Sequence, residues 1–500
     1  SLHISGLPPR RFGESVWLSL KIPDKRATRA RSGILSLPTL PCEKQFLDTS
    51  FRWYDNQIMS TDTIFALASP FAKSGVAILR ISGDKALSTL TQLTGKTNWQ
   101  PNLASLSVIR HPSSGETIDT GLAIYFAAPR SFTGEDVVEL HLHGSLAILR
   151  EMLSVLSAMH GLRHAEAGEF TRRAFMNGKM DLLEAEGLAD LIEAETLQQK
   201  RQSQAQMRGE MSRHYEALRT QMITLLAHLE AYIDFPEEEI PESVLDNLKG
   251  DINHMVAAIH TALDDGGRGE RLREGLMVAI IGAPNAGKSS LLNLLAGRDA
   301  AIVSPQAGTT RDVIEIHKEI SGFPVTFLDT AGLRQTTDFI EEEGVRRARQ
   351  RAEAADLKLI IFDATQPMDE ESRGLIDDNS LIVINKIDIS HPRESGDPDR
   401  SRTILISCQT GEGLDHLLLS LTNRISQLYN PERLPLITRA RHRGLLEQTL
   451  SHLKRINTHA PLELTCEELR RCALCLGKIT GKISVDDVLD VVFSSFCIGK

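Results

Sequence analysis

Cysteine is scarce in this chain: six in 500 residues, at positions 42, 408, 466, 472, 475 and 497. That spacing supports no disulfide framework and excludes a small cross-linked scaffold. Reduced thiols in the cytoplasm are the expectation. Long apolar runs are missing as well. None approaches the ~18 residues that mark a spanning helix. Positive charge is in deficit, with 56 Lys and Arg against 66 Asp and Glu, for a net charge of −10. A protein that coats nucleic acid is usually basic overall. Any RNA contact must therefore be local or supplied by a partner. What remains is ordinary: 41% hydrophobic and 24% charged residues, the usage of a globular protein. A collagenous or wholly disordered chain is excluded. The length predicts about three domains.

Residues 1–58 differ from the rest. Pro and Gly break them up, periodicity is not sustained, and nine Lys and Arg stand against five Asp and Glu. Frequent Arg and Ser would suit a transit peptide, but the acidic residues argue against one. A poorly ordered extension upstream of Met59 is the expectation. From 59 to 178, short β-like runs at 75–81, 121–126 and 136–142 and a helical pattern at 145–159 predict an α+β domain. Residues 179–272 carry apolar residues at helical spacing, among them Leu218, Met222, Leu225, Leu226 and Leu229. Residues 273–428 alternate strand and helix, the doubly wound α/β pattern. Residues 429–500 turn helical again. The expected architecture is one helical domain, 179–272 and 429–500, interrupted by an inserted Ras-like α/β domain. Cys472 and Cys475 form a C-x-x-C inside a helical pattern. Without a second pair, a helix-face reading outweighs zinc or redox chemistry.

The inserted block carries the chemistry. Leu276-Met-Val-Ala-Ile-Ile281 suits a buried strand. Gly282-Ala-Pro-Asn-Ala-Gly-Lys-Ser289 follows, then a helical start at Ser290. This is the strand, loop and helix that a phosphate loop needs. Its glycines let backbone amides close around phosphate oxygens. Lys288 reaches the β and γ phosphates. Ser289 can ligate Mg²⁺, and Thr310, in Gly308-Thr-Thr-Arg-Asp312, can complete the shell. Phe327-Leu-Asp-Thr-Ala-Gly332 ends a strand in Asp-x-x-Gly. Leu381-Ile-Val-Ile-Asn-Lys-Ile-Asp388 ends another in Asn-Lys-x-Asp, where Asp388 can accept both N1 and N2 hydrogens of guanine. Adenine cannot offer that pair. Ile404-Leu-Ile-Ser407 with Cys408 supplies the last base-contact loop.

This order of motifs resembles the GTPase superfamily. Leu333 follows Gly332 where Ras-like enzymes place a water-orienting Gln, so catalysis needs another source of charge. Asn285 matches the position that helps hold K⁺ in potassium-dependent members. The chain ends extend the likeness. Gly75-Val-Ala-Ile-Leu-Arg-Ile-Ser-Gly83, Ser131-Phe-Thr-Gly-Glu-Asp136, Gly168-Glu-Phe-Thr-Arg-Arg-Ala-Phe175 and the terminal Phe496-Cys-Ile-Gly-Lys500 resemble the MnmE (TrmE) family of tRNA-modifying GTPases. The likeness covers residues 61–500, interrupted mainly by a polar insertion at 389–402.

The resemblance implies nucleotide contacts from Asn285, Ala286, Gly287, Lys288, Ser289 and Ser290. Ser304, Pro305, Gln306, Ala307, Gly308, Thr309 and Thr310 form the next segment. Asp329, Thr330, Ala331 and Gly332 follow, then Asn385, Lys386, Ile387 and Asp388, and finally Ser407, Cys408 and Gln409. It implies K⁺ at Asn285, Ser304, Gln306 and Thr309, with Ser304 standing where the family commonly has Thr. Glu341 matches the water-orienting glutamate, within an acidic triplet where the assignment can slip by one. Arg334 matches a switch residue, and Cys497 a cysteine needed for modification. Arg80, Glu139, Lys179 and Lys500 match folate-contacting positions, and residues 59–178 match a domain that binds tetrahydrofolate and dimerises. The implied reaction adds an aminomethyl or carboxymethylaminomethyl group at C5 of the wobble uridine. It draws on 5,10-methylene-tetrahydrofolate and an FAD-dependent partner, MnmG (GidA), forming a heterotetramer or larger complex. Two other functions remain open: a GTP-driven switch in ribosome or cofactor assembly, and a folate-dependent transferase with a regulatory GTPase. The first needs neither the folate-like module nor Cys497 and Lys500.

Overall fold

The structure, a computed structural model, describes residues 62–234, 242–265, 267–297, 315–329, 355–390, 402–429, 435–456 and 461–483, with positions 489, 492, 493, 496, 497 and 499. The extension 1–58 lies outside these residues. So do 304–310, 330–332, Leu333, Arg334, Glu341, Lys500 and most of 389–402.

Alternating apolar and polar residues set the first sheet. Its strands are β1 (Thr63–Leu67), β2 (Ser74–Ser82), β3 (Ser105–Arg110), β4 (Thr117–Phe126), β5 (Val137–Gly144) and β6 (Leu162–His164). They lie in the order β3-β4-β5-β2-β1-β6, with only the β1–β6 pair parallel. Ala77, Leu79 and Ile81 are at most 1% exposed. Leu79 and Ile81 join Leu140 and Leu142 beneath helices α1 (Ala86–Thr94) and α2 (Leu146–Ala158). A strand repeats every two residues, so Arg80 and Ser82 turn to the opposite face. On that face Ile64 and Ala66 of β1 pack with Phe132, Ala165 and Phe170.

Helices follow: α3 (Glu169–Met176), α4 (Leu182–Glu193), α5 (Leu197–Met207), α6 (Glu210–Asp234), α7 (Glu242–Leu263) and α8 (Arg268–Glu274). Asp181 and Glu184 form a capping box at the start of α4, and Thr196 and Gln199 another on α5. After the second sheet come α12 (Ala440–Arg455) and α13 (Leu462–Thr480). Leu218, Met222, Leu226 and Ile259 share one core with Leu446, Leu469, Cys472 and Leu476. Cys472 donates its thiol to the Thr449 carbonyl at 3.6 Å, and burial pushes that thiol up to about 12. It is a buried core side chain.

The second sheet holds β7 (Leu276–Gly282), β8 (Glu315–Ile320), β9 (Phe323–Asp329), β10 (Leu357–Asp363), β11 (Ser380–Asn385) and β12 (Thr403–Leu405), in the order β12-β11-β10-β7-β9-β8. All neighbours run parallel except β8 and β9. That hairpin turns through Ser321 (φ 53) and Gly322 (φ 86). Two left-handed residues suit the twist of a two-residue hairpin. Helices α9 (Lys288–Gly297), α10 (Glu370–Arg373) and α11 (Leu414–Tyr429) belong to this layer. Leu276, Val278 and Ile280 meet Leu291, Leu295, Leu417 and Leu421 in its core. Parallel strands buried on both faces read as unbroken apolar runs, which is how β7 and β11 appear in the sequence, while β10 is interrupted by Lys358, paired with Asp377 at 2.7 Å.

Candidate functional site

The carboxyl ends of β7, β10 and β11 point to one place, the location where parallel α/β sheets bind ligands. Between β7 and α9 the loop turns through Asn285 (φ 65) and Gly287 (φ 107). Left-handed residues in such a loop build a concavity of backbone amides suited to anions. A Cβ at Gly287 would run into the amide nitrogen of Asn385. Lys288, only 8% exposed, donates through Nζ to the carbonyls of Gly282 (2.7 Å) and Ala283 (2.9 Å). Its ammonium is therefore folded over the loop that it serves.

Asn385 joins three loops. It is 2% exposed. Its Nδ2 donates to the Ala286 carbonyl at 2.9 Å, and its Oδ1 accepts from the Cys408 amide at 3.0 Å. Losing it would leave the buried Ala286 carbonyl and the half-buried Cys408 amide without this partner. Asp388 is exposed, and its Oδ1 accepts from Ser407 Oγ at 2.6 Å. Ser407 Oγ in turn accepts from the Thr410 amide at 3.1 Å. The carboxylate is thus oriented before any base arrives. Burial, and the negative charge of Asp388, push the Cys408 thiol up to about 11, so it stays protonated. Its useful group here is the backbone amide. Lys386 has φ 68, and its Nζ lies 2.5 Å from Asp363 Oδ2. Burial alone would raise the Asp363 carboxyl, but hydrogen bonds from Lys386 and Thr365 hold it below the ordinary range.

The structure thus brings together the expected residues 285–288, 385–388 and 407–408. Ser289 and Ser290 follow Lys288 in the first turn of α9, and Asp329 ends β9. A serine hydroxyl is the hard oxygen donor that Mg²⁺ takes, so the chemistry at Ser289 fits that ion. The remaining expected nucleotide residues, Gln409 apart, fall outside the described ones.

The first sheet holds the other expected group. Arg80 and Glu139 face each other across β2 and β5. They form one ion pair, with Arg80 Nη2 2.8 Å and Nε 3.0 Å from Glu139 Oε1. Arg80 also lies 5.5 Å from the ring centre of Phe132 and 5.7 Å from that of Phe170. Lys179 comes to the same loop as Phe132, donating to the Pro129 carbonyl at 2.9 Å. The chain's last stretch also reaches this sheet. Phe493 and Phe496 pack with Phe175 and Leu182. At Gly499 (φ 99) a Cβ would strike the carbonyl of Leu67, the β1 residue beside the partner of Arg80. Cys497 is exposed. Phe132 and Phe170 lie within Ser131–Asp136 and Gly168–Phe175, and only the tertiary fold brings their rings to the Arg80 guanidinium.

A second group that the sequence did not single out ties the helical layer to the segment that enters β7. Glu186, fully buried on α4, accepts from His442 Nε2 at 2.8 Å and from Arg441 Nη2 at 3.1 Å. Burial alone would raise its carboxyl, but His442, Arg441 and Arg439 hold it down at about 2. One turn on, Asp190 binds Arg439 (2.7 Å) and Arg273 (3.0 Å). Arg273 stands three residues before β7. Its carbonyl accepts from Gln199 of α5 at 3.1 Å. Nearby, Arg271 pairs with Asp356 at 2.6 Å, and Asp356 also accepts from the Met277 amide at 3.0 Å.

Comparison with known proteins adds to this geometry. A family model described as the MnmE helical domain matches residues 182–497, and one described as GTP-binding protein TrmE N-terminus matches 63–179. The tRNA modification GTPase MnmE of Parvibaculum lavamentivorans is 48% identical over 443 residues, covering 88% of this chain and 100% of the relative. The Rickettsia akari protein of the same name is 46% identical over 444 residues, with the same coverage. Among solved structures, the G domain of the T. maritima FeoB iron transporter is 25% identical, with TM-score 0.24, covering 31% of this chain and 98% of that one.

Proposed function

Because the chain belongs to the MnmE family of tRNA modification GTPases, we propose that it hydrolyses GTP as one subunit of a complex that modifies the wobble uridine of tRNA in the cytoplasm. Residues 59–178 form the folate-binding, dimerising domain. Residues 179–272 and 429–500 form the helical domain, and 273–428 the GTPase domain. The partner is the FAD-dependent MnmG. The product carries an aminomethyl or carboxymethylaminomethyl group at uridine C5, its one-carbon unit drawn from methylene-tetrahydrofolate.

One observation carries the reading: Asn385 fastens the phosphate loop to the loop opposite Asp388, so phosphate grip and guanine choice share one rigid frame. Lys288 and the loop amides bind the phosphates, while Asp388, held by Ser407, reads the base. Ser289 and Thr310 hold Mg²⁺, and Asn285, Ser304, Gln306 and Thr309 hold K⁺. These cations supply positive charge against the charge that develops on the phosphates. Glu341 orients the attacking water and Arg334 supports turnover. Arg80, Glu139, Lys179 and Lys500 hold the folate near Cys497. Support for that last placement is the seat of Gly499 against Leu67, which brings the tail to β1, the strand paired with that of Arg80.

Two tests follow. Mass spectrometry of tRNA nucleosides from cells lacking the protein is expected to show loss of the 5-carboxymethylaminomethyl-type uridines. A wild-type gene copy restores them, and a Cys497→Ser copy does not, although that variant keeps its GTPase activity. Persistence of those nucleosides in the deletion would sink the modification reading and favour an assembly switch. Turnover in K⁺ is expected to exceed that in Na⁺ at equal ionic strength by about 10²-fold, the order seen when one charge-stabilising element is removed. Asn285→Ala abolishes that difference. Equal turnover in both salts would rule out the K⁺ assignment.

A further inference from the structure

We infer that Asp363 is a positioning residue of the nucleotide site, acting through Lys386 to fix one wall of the guanine slot. The inference rests on the GTPase reading and names a residue outside the five motifs of the nucleotide site. Asp363 ends β10 in direct register with Asn385 of β11. The ladder continues one residue further, with the Ala364 amide donating to the Asn385 carbonyl at 2.9 Å. Asp363 therefore stands beside the base-selecting loop by virtue of the sheet itself.

Its two oxygens have separate duties. Oδ1 accepts from the Thr365 amide (2.9 Å) and the Thr365 hydroxyl (2.7 Å). That pair of bonds prevents the carboxylate from rotating. Oδ2 meets the Lys386 ammonium at 2.5 Å. Both side chains are sheltered, at 14% and 31% exposure, so screening by water is reduced. The backbone of Lys386 is left-handed at φ 68, a conformation that a side chain other than Asn or Asp rarely adopts without a reason. The reason offered by the geometry is aim. An unpinned lysine samples many rotamers, whereas this one is stretched between its Cα and a fixed anion. It stands between Asn385, which fastens the phosphate loop, and Asp388, which reads the guanine edge. A stretched four-carbon stem there presents a flat apolar surface to a base.

The test is a double-mutant cycle with the full-length protein, using N-methylanthraniloyl-GDP as the probe and GTP as the substrate. Asp363→Asn keeps an acceptor for Thr365 and loses the charge that holds Lys386. The expected result is a rise of about tenfold in probe Kd and in KM for GTP, the size of one charge-assisted hydrogen bond, with kcat and the thermal midpoint unchanged. Asp363→Glu, which restores the charge, recovers part of the loss. In the Lys386→Met background, Asp363→Asn adds nothing further, because the two residues act as one unit. Additive losses, an equal fall in kcat, or tighter binding in Asp363→Asn would each overturn the inference. If wild type binds the probe and Asp363→Asn binds it equally well, this inference alone falls. A wild type that does not bind the probe takes the GTPase reading down with it.

Discussion

Asp388→Asn is expected to weaken GTP binding by about 10²- to 10³-fold and to create binding of xanthosine triphosphate. Guanine presents two donors on one edge, N1–H and the 2-amino group. A carboxylate accepts both. An asparagine offers one acceptor and one donor, so its amide nitrogen would face the 2-amino group with no bond between them. Leaving polar groups unpaired in a site built to pair them costs up to about 10⁴- to 10⁵-fold. Asp388 is exposed, so water relieves part of that loss. Xanthine carries an oxygen at C2, and there the asparagine amide finds a partner. Ser407 can donate to either side chain, so the loop keeps its shape. Titration of the variant with both nucleotides gives the answer. Unchanged GTP affinity would remove Asp388 as the reader of the base.

The largest stability loss is expected at Glu186. It is fully buried, and its charge is met by His442, Arg441 and Arg439. Glu186→Ala strands these groups around a cavity. Removing one partner of a buried ionic cluster costs about 3–5 kcal/mol. For the helical layer this lowers the thermal midpoint on the order of 10 °C. Burial lowers the pKa of His442 in spite of Glu186, and its Nε2 faces the Glu186 carboxylate as the donor. Its Nδ1 accepts from the Thr438 amide at 3.4 Å. The Glu186 carboxyl titrates lower in the folded chain than in the unfolded one. Its stabilisation is therefore full above the unfolded value and fades as pH falls toward about 2. Glu186→Gln should be less stable at neutral pH and lose part of the acid slope. A variant as stable as wild type, with the same slope, would refute this account.

Local signals explain what could be read from the residues alone. The phosphate loop, Asp388 and Ser407 are legible because each motif is a short run at the end of an apolar strand, and parallel strands bring such ends together. The strands β2, β4 and β5 announce themselves by alternation. Arg80 and Glu139 were named by resemblance, but their mutual ion pair depends on the register of β2 against β5, which no local pattern gives. Asp363 has no local signal for the same reason: a polar residue ending a strand says nothing of a lysine after the next one. Glu186 and Asp190 carry no local signal, because acidic residues on a helix are ordinarily solvated. Their partners, Arg439, Arg441 and His442, come from beyond the entire second sheet, and only the tertiary fold shows that the charges are buried and matched.

That last separation governs how the molecule can be built. Glu186 and His442 are 256 positions apart, and the core around Leu218 and Met222 needs Leu469 and Leu476 to close. A ribosome adding roughly 5–20 residues per second needs tens of seconds to cover that distance. The first sheet can complete its pairing once His164 has emerged, and the second sheet once Leu405 has. The helical layer has to wait for both. During that interval α6 presents Leu218, Met222 and Leu226 without their partners, a long-range closure that contact order makes slow. A nascent chain stalled before Ala440 should therefore be sticky although both of its sheets are formed, and the helices on either side of the second sheet would be the segments that a chaperone holds longest.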